Sequence, residues 1–292
     1  MRQPISTIII AVILSVFVSF LVLPQGSGDG RKTETAYERV IRTGTLRCGY
    51  GVTESLVMRD PNTGEMSGVV YDFMQEVGKA LNIKVEYVLE MPWDTIGMGL
   101  ETKKIDAHCA GVWATPARGR AMEFSNPMFF SPVVAFARAD DHRFDNNLDR
   151  INQPDITIVV SDDDITKEVY EHDFFNAKKT ELAQFSPPEE LLLYVATHKA
   201  DVAVNSPPRL NSFEKGYPGK MRTVPLAKPL RIFPDVIAVR MGEEELLHML
   251  NTAIDQELDG GLMDKLLKKY QGKYDVSWIV PVKRPYDWKS KP

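Results

Sequence analysis

The sequence predicts an exported α/β protein with two lobes, each a mainly parallel sheet with covering helices, preceded by one N-terminal hydrophobic segment. Strand-like and helix-like segments alternate along the chain, which is typical of parallel sheets covered by helices. The alternation occurs in two successive sets, and 292 residues are enough for two hydrophobic cores. Residues 5–23 carry no charge and consist mainly of Ile, Val, Leu and Phe, which indicates export.

Residues 1–24 are predicted to be a signal peptide or a membrane anchor. About 20 apolar residues span the hydrocarbon of a bilayer, so the apolar run fits either alternative. Arg2 supplies the basic start of a signal peptide, but no A-x-A cleavage pattern follows, and both alternatives stay open. No Cys stands directly after the segment, which argues against a lipid anchor. The composition predicts a flexible linker at 25–36 and a solvated tail at 281–292.

The spacing of apolar residues predicts the elements of the two sets. Apolar, β-rich runs predict strands at 46–50, 84–88, 105–110, 133–137, 156–160, 201–204 and 235–240. Helical spacing predicts helices at 70–81, 93–100, 166–175, 187–195, 243–258 and 262–270. Ser186 is predicted as the N-cap of the fourth helix, with Pro187 in its first turn and Glu189 closing a capping box.

Composition and motifs argue against several classes of function. A net charge of -5 and a pI near 5.7 argue against a nucleic-acid binder, because such proteins are usually strongly basic. The chain contains no G-x-S-x-G, H-E-x-x-H, Walker glycine loop or C-x-x-C. Its 5 histidines are scattered without the spacing of metal ligands. We therefore expect no catalytic residues, no cofactor and no metal.

The most specific passage is GVWATPAR at 111–118, followed by FSNPMF at 124–129. It resembles the T-P-x-R and F-S-x-P-[YF] signature of the family-3 solute-binding proteins, the periplasmic amino-acid-binding family of ABC transporters. GVVYDF at 68–73 and KADVAV at 199–204 are similar to two further blocks of that family. The resemblance extends in order from about residue 40 to 272.

The resemblance implies a type II periplasmic-binding-protein fold. Lobe I would comprise 37–134 and 236–280, and lobe II 135–235, so the chain would cross twice between them. A monomer in the periplasm would capture a small polar, carboxylate-bearing molecule between the lobes and deliver it to an inner-membrane ABC permease. Two alternatives stay open: a ligand-sensing module for a membrane partner, and an enzyme similar to cyclohexadienyl dehydratase that would use the aspartates at 162–164.

Arg118 is predicted to anchor the ligand, because a guanidinium offers paired donors in a rigid fork that matches a carboxylate. The signature places Gly111 and Thr115 in the same ligand-binding region. Trp113 stands where amino-acid binders have a small hydroxyl residue, and it would either stack on the ligand or fill part of the cleft as core. Tyr50 ends a strand near the cleft, so ligand contact and packing are equally open.

The second lobe is predicted to contribute Ser161, Asp162, Asn205 and Ser206. Members of the family often have S-G-T-G where the first two stand, and an acidic loop there suits a cationic or polyhydroxyl group. Members also carry an Asp that pairs with the ligand's ammonium after the strand predicted at 201–204, where this chain has Asn205 and Ser206. Because an unpaired ammonium is costly to bury, an ordinary α-amino acid is not expected as the preferred ligand.

Cys48 and Cys109 fall on strands that the family's sheet makes neighbours. An oxidising compartment favours a disulfide between them. Paired residues of adjacent parallel strands point side by side, however, whereas a disulfide needs converging Cβ vectors. We expect the two cysteines to be close, and both a disulfide and a pair of buried thiols stay open.

Overall fold

The computed structural model describes residues 34–161, 164–182, 186–187 and 189–283. Its helices are α1 (Ala36–Thr43), α2 (Val69–Ala80), α3 (Ile96–Glu101), α4 (Leu148–Ile151), α5 (Asp164–Asp173), α6 (Glu190–Ala196), α7 (Pro208–Glu214), α8 (Glu244–Asp259) and α9 (Leu262–Tyr270). Its strands are β1 (Thr45–Tyr50), β2 (Met58–Arg59), β3 (Met66–Ser67), β4 (Lys84–Glu90), β5 (Ala107–Trp113), β6 (Met122–Phe124), β7 (Phe129–Arg138), β8 (Thr157–Val160), β9 (Lys178–Glu181), β10 (Val202–Asn205), β11 (Met221–Thr223), β12 (Arg231–Arg240) and β13 (Val280–Pro281).

One mixed sheet runs through the described part of the chain, in the strand order β4-β1-β5-β12-β7-β10-β8-β9. The strands β4, β1 and β5 at one end are parallel, as are β10, β8 and β9 at the other. The two central strands run antiparallel to their neighbours. This confirms the predicted α/β class, with parallel strands at both ends and helices against them.

Separate apolar cores lie at the two ends of the sheet. At one end, α2, α8 and α9 bury apolar side chains against β1, β4 and β5, and the α2 residues Val70, Phe73 and Val77 are fully buried, as their helical spacing predicts. At the other end, α5 and α6 cover β8 and β10. Burying one such side chain contributes about 1.5–3 kcal/mol. We call these two parts the first lobe and the second lobe.

The two central strands join the lobes. Residues 129–133 of β7 pair with 231–235 of β12, whereas the following residues of β7 pair with β10 and β11 of the second lobe. The remainder of β12 pairs with β5 and β6 of the first lobe. We call β7 and β12 the hinge strands. The lobe boundaries predicted from the sequence stay a prediction.

The predicted capping box at Ser186 is wrong. The helix begins at Glu190, and its N-cap Glu189 makes no side-chain cap hydrogen bond. The Glu190 backbone N–H donates to the Pro187 carbonyl at 2.9 Å, so a separate turn precedes the helix where its first turn was expected. The sequence analysis also missed α7, which begins at a Pro pair, because two adjacent prolines suggest a loop.

No helix among the described residues is long and apolar enough to span a membrane. The apolar run predicted at 5–23 lies outside them, as do the linker up to residue 33, Asp162 and the tail from residue 284.

Candidate functional site: a cleft at the hinge strands

A cleft of about 720 Å³ opens between the lobes at the hinge strands. Its size is typical of pockets for small molecules. The first lobe and its C-terminal segment contribute Thr53, Glu54, Arg59, Trp93, Gly111, Trp113, Arg118, Lys273, Tyr274 and Trp278 among others. The hinge strands contribute Ser131 and Asp235, and the second lobe contributes Ile165, Asn205, Ser206, Pro208, Arg209, Ser212 and Lys215.

The structure brings Gly111, Trp113, Arg118, Asn205 and Ser206 together along this cleft, as the sequence analysis predicted. The first three belong to the end of β5 and the loop after it, whereas Asn205 ends β10 and Ser206 follows it. They therefore face the cleft from different lobes. Their contact with a ligand stays a prediction.

Arg118 is held on the cleft wall by the loop that carries it. Its backbone N–H donates to Thr115 Oγ1 at 3.3 Å, and its Nη1 donates to the Trp113 carbonyl at 3.1 Å. The side chain is half-buried, so its guanidinium is partly shielded from water, which strengthens charge-assisted hydrogen bonds. Thr115 itself is buried and supports the loop without lining the cleft.

Trp113 both packs and lines the cleft. Its ring stacks on Phe233 of β12, with the centroids 5.2 Å apart and the planes at 16°. The half-buried indole also packs against the core of the second lobe. The packing alternative applies to the face of the ring that core residues fix. Part of the ring surface borders the cleft, and its contact with a ligand stays a prediction.

The structure does not bring Tyr50 or Ser161 to the cleft lining. Tyr50 is buried in the first-lobe core, with its ring edge-on to Tyr87 at a centroid distance of 5.6 Å. Packing is thus the alternative that applies to Tyr50. Ser161 is engaged by the start of α5, where its backbone N–H donates to Thr166 Oγ1 at 2.8 Å. Asp162 lies outside the described residues.

The structure also places four acids in the cleft lining that the sequence analysis missed, Glu54, Asp60, Glu65 and Asp235. Asp235 lies on β12 with its side chain only 1% exposed, and burial raises the pKa of its carboxyl well above the ordinary value. Glu54 follows β1, and its Oε1 accepts a hydrogen bond from Lys215 Nζ of the second lobe at 2.8 Å. Asp235 interrupts the apolar run of β12 between Arg231 and Arg240, and a buried acid is unusual unless it has a partner.

His108 lies beneath the first-lobe wall of the cleft. It is fully buried, and its ring is 5.3 Å from that of Trp93. Burial, assisted by the positive charge of Arg118, lowers the pKa of His108 from 6.5 to about 3. Neither ring nitrogen has a hydrogen-bond partner among the described residues. No cluster of three or more His, Cys, Asp or Glu in the described part of the chain could hold a metal ion.

Cys48 and Cys109 form a disulfide in this structure, with their Cα atoms 5.5 Å apart. Cys48 pairs with Ala107 across the sheet, so Cys109 lies on the same face of the neighbouring strand. The Cα separation falls within the roughly 4.4–6.8 Å that a disulfide usually spans. The bond links β1 to β5 below the cleft.

A two-lobed α/β chain with paired hinge strands and a charged interlobe cleft is typical of proteins that bind a small ligand between their lobes. Residues 46–273 match the bacterial extracellular solute-binding proteins, family 3, and the chain belongs to this family. Its fold is the type II periplasmic-binding-protein fold.

Two curated relatives span most of the chain. A probable histidine-binding protein of Neisseria gonorrhoeae is 26% identical over 211 residues, which cover 72% of this chain and 76% of the relative. The L-cystine-binding protein of Bacillus subtilis is 22% identical over 254 residues, which cover 86% of this chain and 90% of the relative.

Solved structures with the same fold include an ancestral amino acid-binding protein described as a precursor of cyclohexadienyl dehydratase. It is 25% identical with a TM-score of 0.67, and the match covers 81% of this chain and 99% of that one. A putative ABC-transporter binding component from Wolinella succinogenes, complexed with lysine, is 23% identical with a TM-score of 0.66 and matches 80% of this chain and 98% of its own. Because its identity is only 23%, the structure from Wolinella succinogenes supports the fold alone.

Proposed function

We propose that this protein captures a small carboxylate-bearing molecule in the interlobe cleft, acts as a monomer in the periplasm and delivers its ligand to an inner-membrane ABC permease. The observation that carries the proposal is the position of Arg118 on the cleft wall, opposite Asn205 and Ser206 of the second lobe. A ligand carboxylate on the guanidinium would contact both lobes and favour the closed form, which the permease would recognise.

Amino acids and similar zwitterions are the favoured ligands in this proposal. The sequence-based expectation against them rested on the lack of an acid after β10. The cleft contains Glu54 and Asp235 instead, so a carboxyl group near a bound ammonium is available from other elements. The names of the histidine-binding and cystine-binding relatives support the same class.

The experiment is a thermal-shift and calorimetric screen of the purified protein against amino acids, small carboxylates, amines and sugars. We expect carboxylate-bearing compounds to bind. Arg118→Ala should weaken their binding at least about tenfold, because charge-assisted hydrogen bonds contribute roughly 1.5–3 kcal/mol. Arg120→Ala is the matched control, since Arg120 is an exposed residue of the same turn outside the cleft lining. Tight binding of a compound without a carboxylate, unaffected by Arg118→Ala, would overturn the proposal.

The enzyme alternative receives its own test, because one structural neighbour is described as a precursor of a dehydratase. We expect no turnover when the protein is incubated with a cyclohexadienyl carboxylate and the ultraviolet absorbance of an aromatic product is followed. Steady product formation that is faster than in a control without protein would show that the protein is an enzyme. That result would contradict the proposed binding function.

A further inference from the structure

Asp235 occupies the point where the hinge strand β12 changes partner. It lies opposite Phe129 of β7 on one side and opposite Trp113 of β5 on the other. Its side chain belongs to the cleft lining although it is almost fully buried, so the carboxyl group lies in the cleft floor. A group bound there would touch the strand that moves when the lobes close.

The carboxyl of Asp235 is held by neutral donors. Ser131 Oγ of β7 donates to Oδ2 at 2.5 Å, and the Trp113 indole N–H also donates to the carboxyl. Gly111, which has a left-handed φ of 78°, leaves room beside it: a Cβ at that residue would be 3.2 Å from Oδ1. The surroundings thus orient the carboxyl group and keep side-chain bulk away from one of its oxygens.

The other buried acids of the described chain each have an arginine partner, and Asp235 does not. Asp106 pairs with Arg39 and Arg47. Asp141 pairs with Arg138 and Arg143, and Glu243 pairs with Arg240. No ion pair joins any of the described cations to Asp235. The other charged residues of the cleft lining are Glu54, Arg59, Asp60, Glu65, Arg118, Arg209, Lys215 and Lys273.

We propose that Asp235 receives a cationic group of the ligand, an ammonium or a guanidinium, and releases its own proton to solvent as it does so. The inference rests on the proposed function, because it concerns the same cleft, and it adds a second charge to the ligand: a carboxylate on Arg118 and a cation on Asp235.

The chemistry follows from burial. A carboxylate with no counter-charge is costly to bury, so Asp235 is the neutral acid when no ligand is bound. A ligand cation supplies the missing counter-charge, the O–H bond of the carboxyl breaks, and the proton goes to water. One proton leaves for each cation bound, so affinity for a cationic ligand rises with pH as long as the empty site stays protonated. Burial raises the pKa of Asp235 well above its ordinary value and outweighs the hydrogen bonds from Ser131 and Trp113, which lower it.

The test uses calorimetry of the full-length protein with L-lysine, norleucine, 6-aminohexanoate and hexanoate. These probes share a carboxylate and differ in the number and place of their ammonium groups. Titrations in buffers of different ionisation enthalpy measure the protons released. We call the three probes that carry an ammonium group, L-lysine, norleucine and 6-aminohexanoate, the cationic probes. We expect about one proton to be released for each cationic probe that binds, and none for hexanoate. Affinity for the cationic probe should increase from pH 6 to pH 8.

Asp235→Asn keeps the size of the side chain and removes its charge. We expect it to weaken binding of the cationic probes at least tenfold, to abolish proton release and to leave hexanoate affinity within about twofold. Asp140→Asn, at an exposed acid outside the cleft lining, should behave as the unmodified protein. Proton release needs no variant, so the inference stays testable if Asp235→Asn does not fold.

Three outcomes would overturn the inference: no proton release with any bound cationic probe, unchanged lysine affinity in Asp235→Asn, or no binding of the cationic probes at all. Failure of the proposed function would give a different result, because binding of the carboxylate probes would then not depend on Arg118. Binding of hexanoate that depends on Arg118 but not on Asp235 would retain the proposed function alone.

Discussion

Single buried residues determine how this cleft responds to charge. Arg118 is held by its own loop, whereas Asp235 is held by a hydroxyl and an indole. His108 lies below, buried and neutral, where a second positive charge beside Arg118 would be unfavourable. Arg118 therefore keeps a fixed positive charge at the cleft, and in our proposal Asp235 ionises when a ligand cation binds.

His108 predicts a stability that falls in acid. Its pKa in the folded state is about 3, below the 6.5 of the unfolded chain, so the unfolded state binds more protons between these values. The stability from the neutral ring is fully present above pH 6.5 and is lost as pH falls toward 3. The slope is at most about 1.4 kcal/mol per pH unit.

Urea unfolding at pH 7 and pH 5 measures this effect. His108→Phe removes the titrating group and keeps an aromatic ring, so between these pH values the unmodified protein should lose about 2 kcal/mol more unfolding free energy than the variant. Equal losses in the two proteins would show that His108 does not couple folding to protons.

At the scale of elements, the disulfide joins two strands that are already paired. Cys48 and Cys109 are 61 residues apart in the chain, and both are buried below the cleft. A cross-link of this kind stabilises chiefly by restricting the unfolded chain, commonly by about 2–4 kcal/mol. We expect the Cys48→Ala/Cys109→Ala double variant to lose about this much unfolding free energy in urea. An unchanged denaturation midpoint and slope would contradict the prediction.

The sequence predicts elements well where one face of a helix or both faces of a strand are apolar. Helix α2 and strand β1 follow directly from that pattern, and the T-P-x-R motif places Arg118 in the loop after β5. Asp235 and Glu54 could not be assigned to the cleft in this way. They come from a hinge strand and a loop that only the tertiary fold brings together, and neither has a local pattern that shows which way it faces.

For the whole molecule, contacts already cross between the lobes. Lys215 beside α7 pairs with Glu54 of the first lobe, and Asn211 of α7 hydrogen-bonds to Asp275 of the C-terminal segment. Because Lys215 is largely exposed, its pair contributes at most about 1 kcal/mol. The lobes are therefore held together weakly, and the ligand's preference for the closed form would set the balance.

Lys215→Gln tests that balance without removing a residue of the predicted carboxylate site. We expect a small increase in radius of gyration for the ligand-free variant in small-angle X-ray scattering, and a return to the closed value when a tightly binding amino acid is added. Identical scattering of both proteins without ligand would show that the pair does not influence closure.

The most direct measurement of the central claim is a crystal structure with the amino acid that binds most tightly in the screen. The account predicts that its carboxylate lies between the lobes within hydrogen-bond distance of the Arg118 guanidinium, with Asn205 or Ser206 closing over it. A ligand bound outside this cleft, or bound within it with no contact to Arg118, would contradict the account.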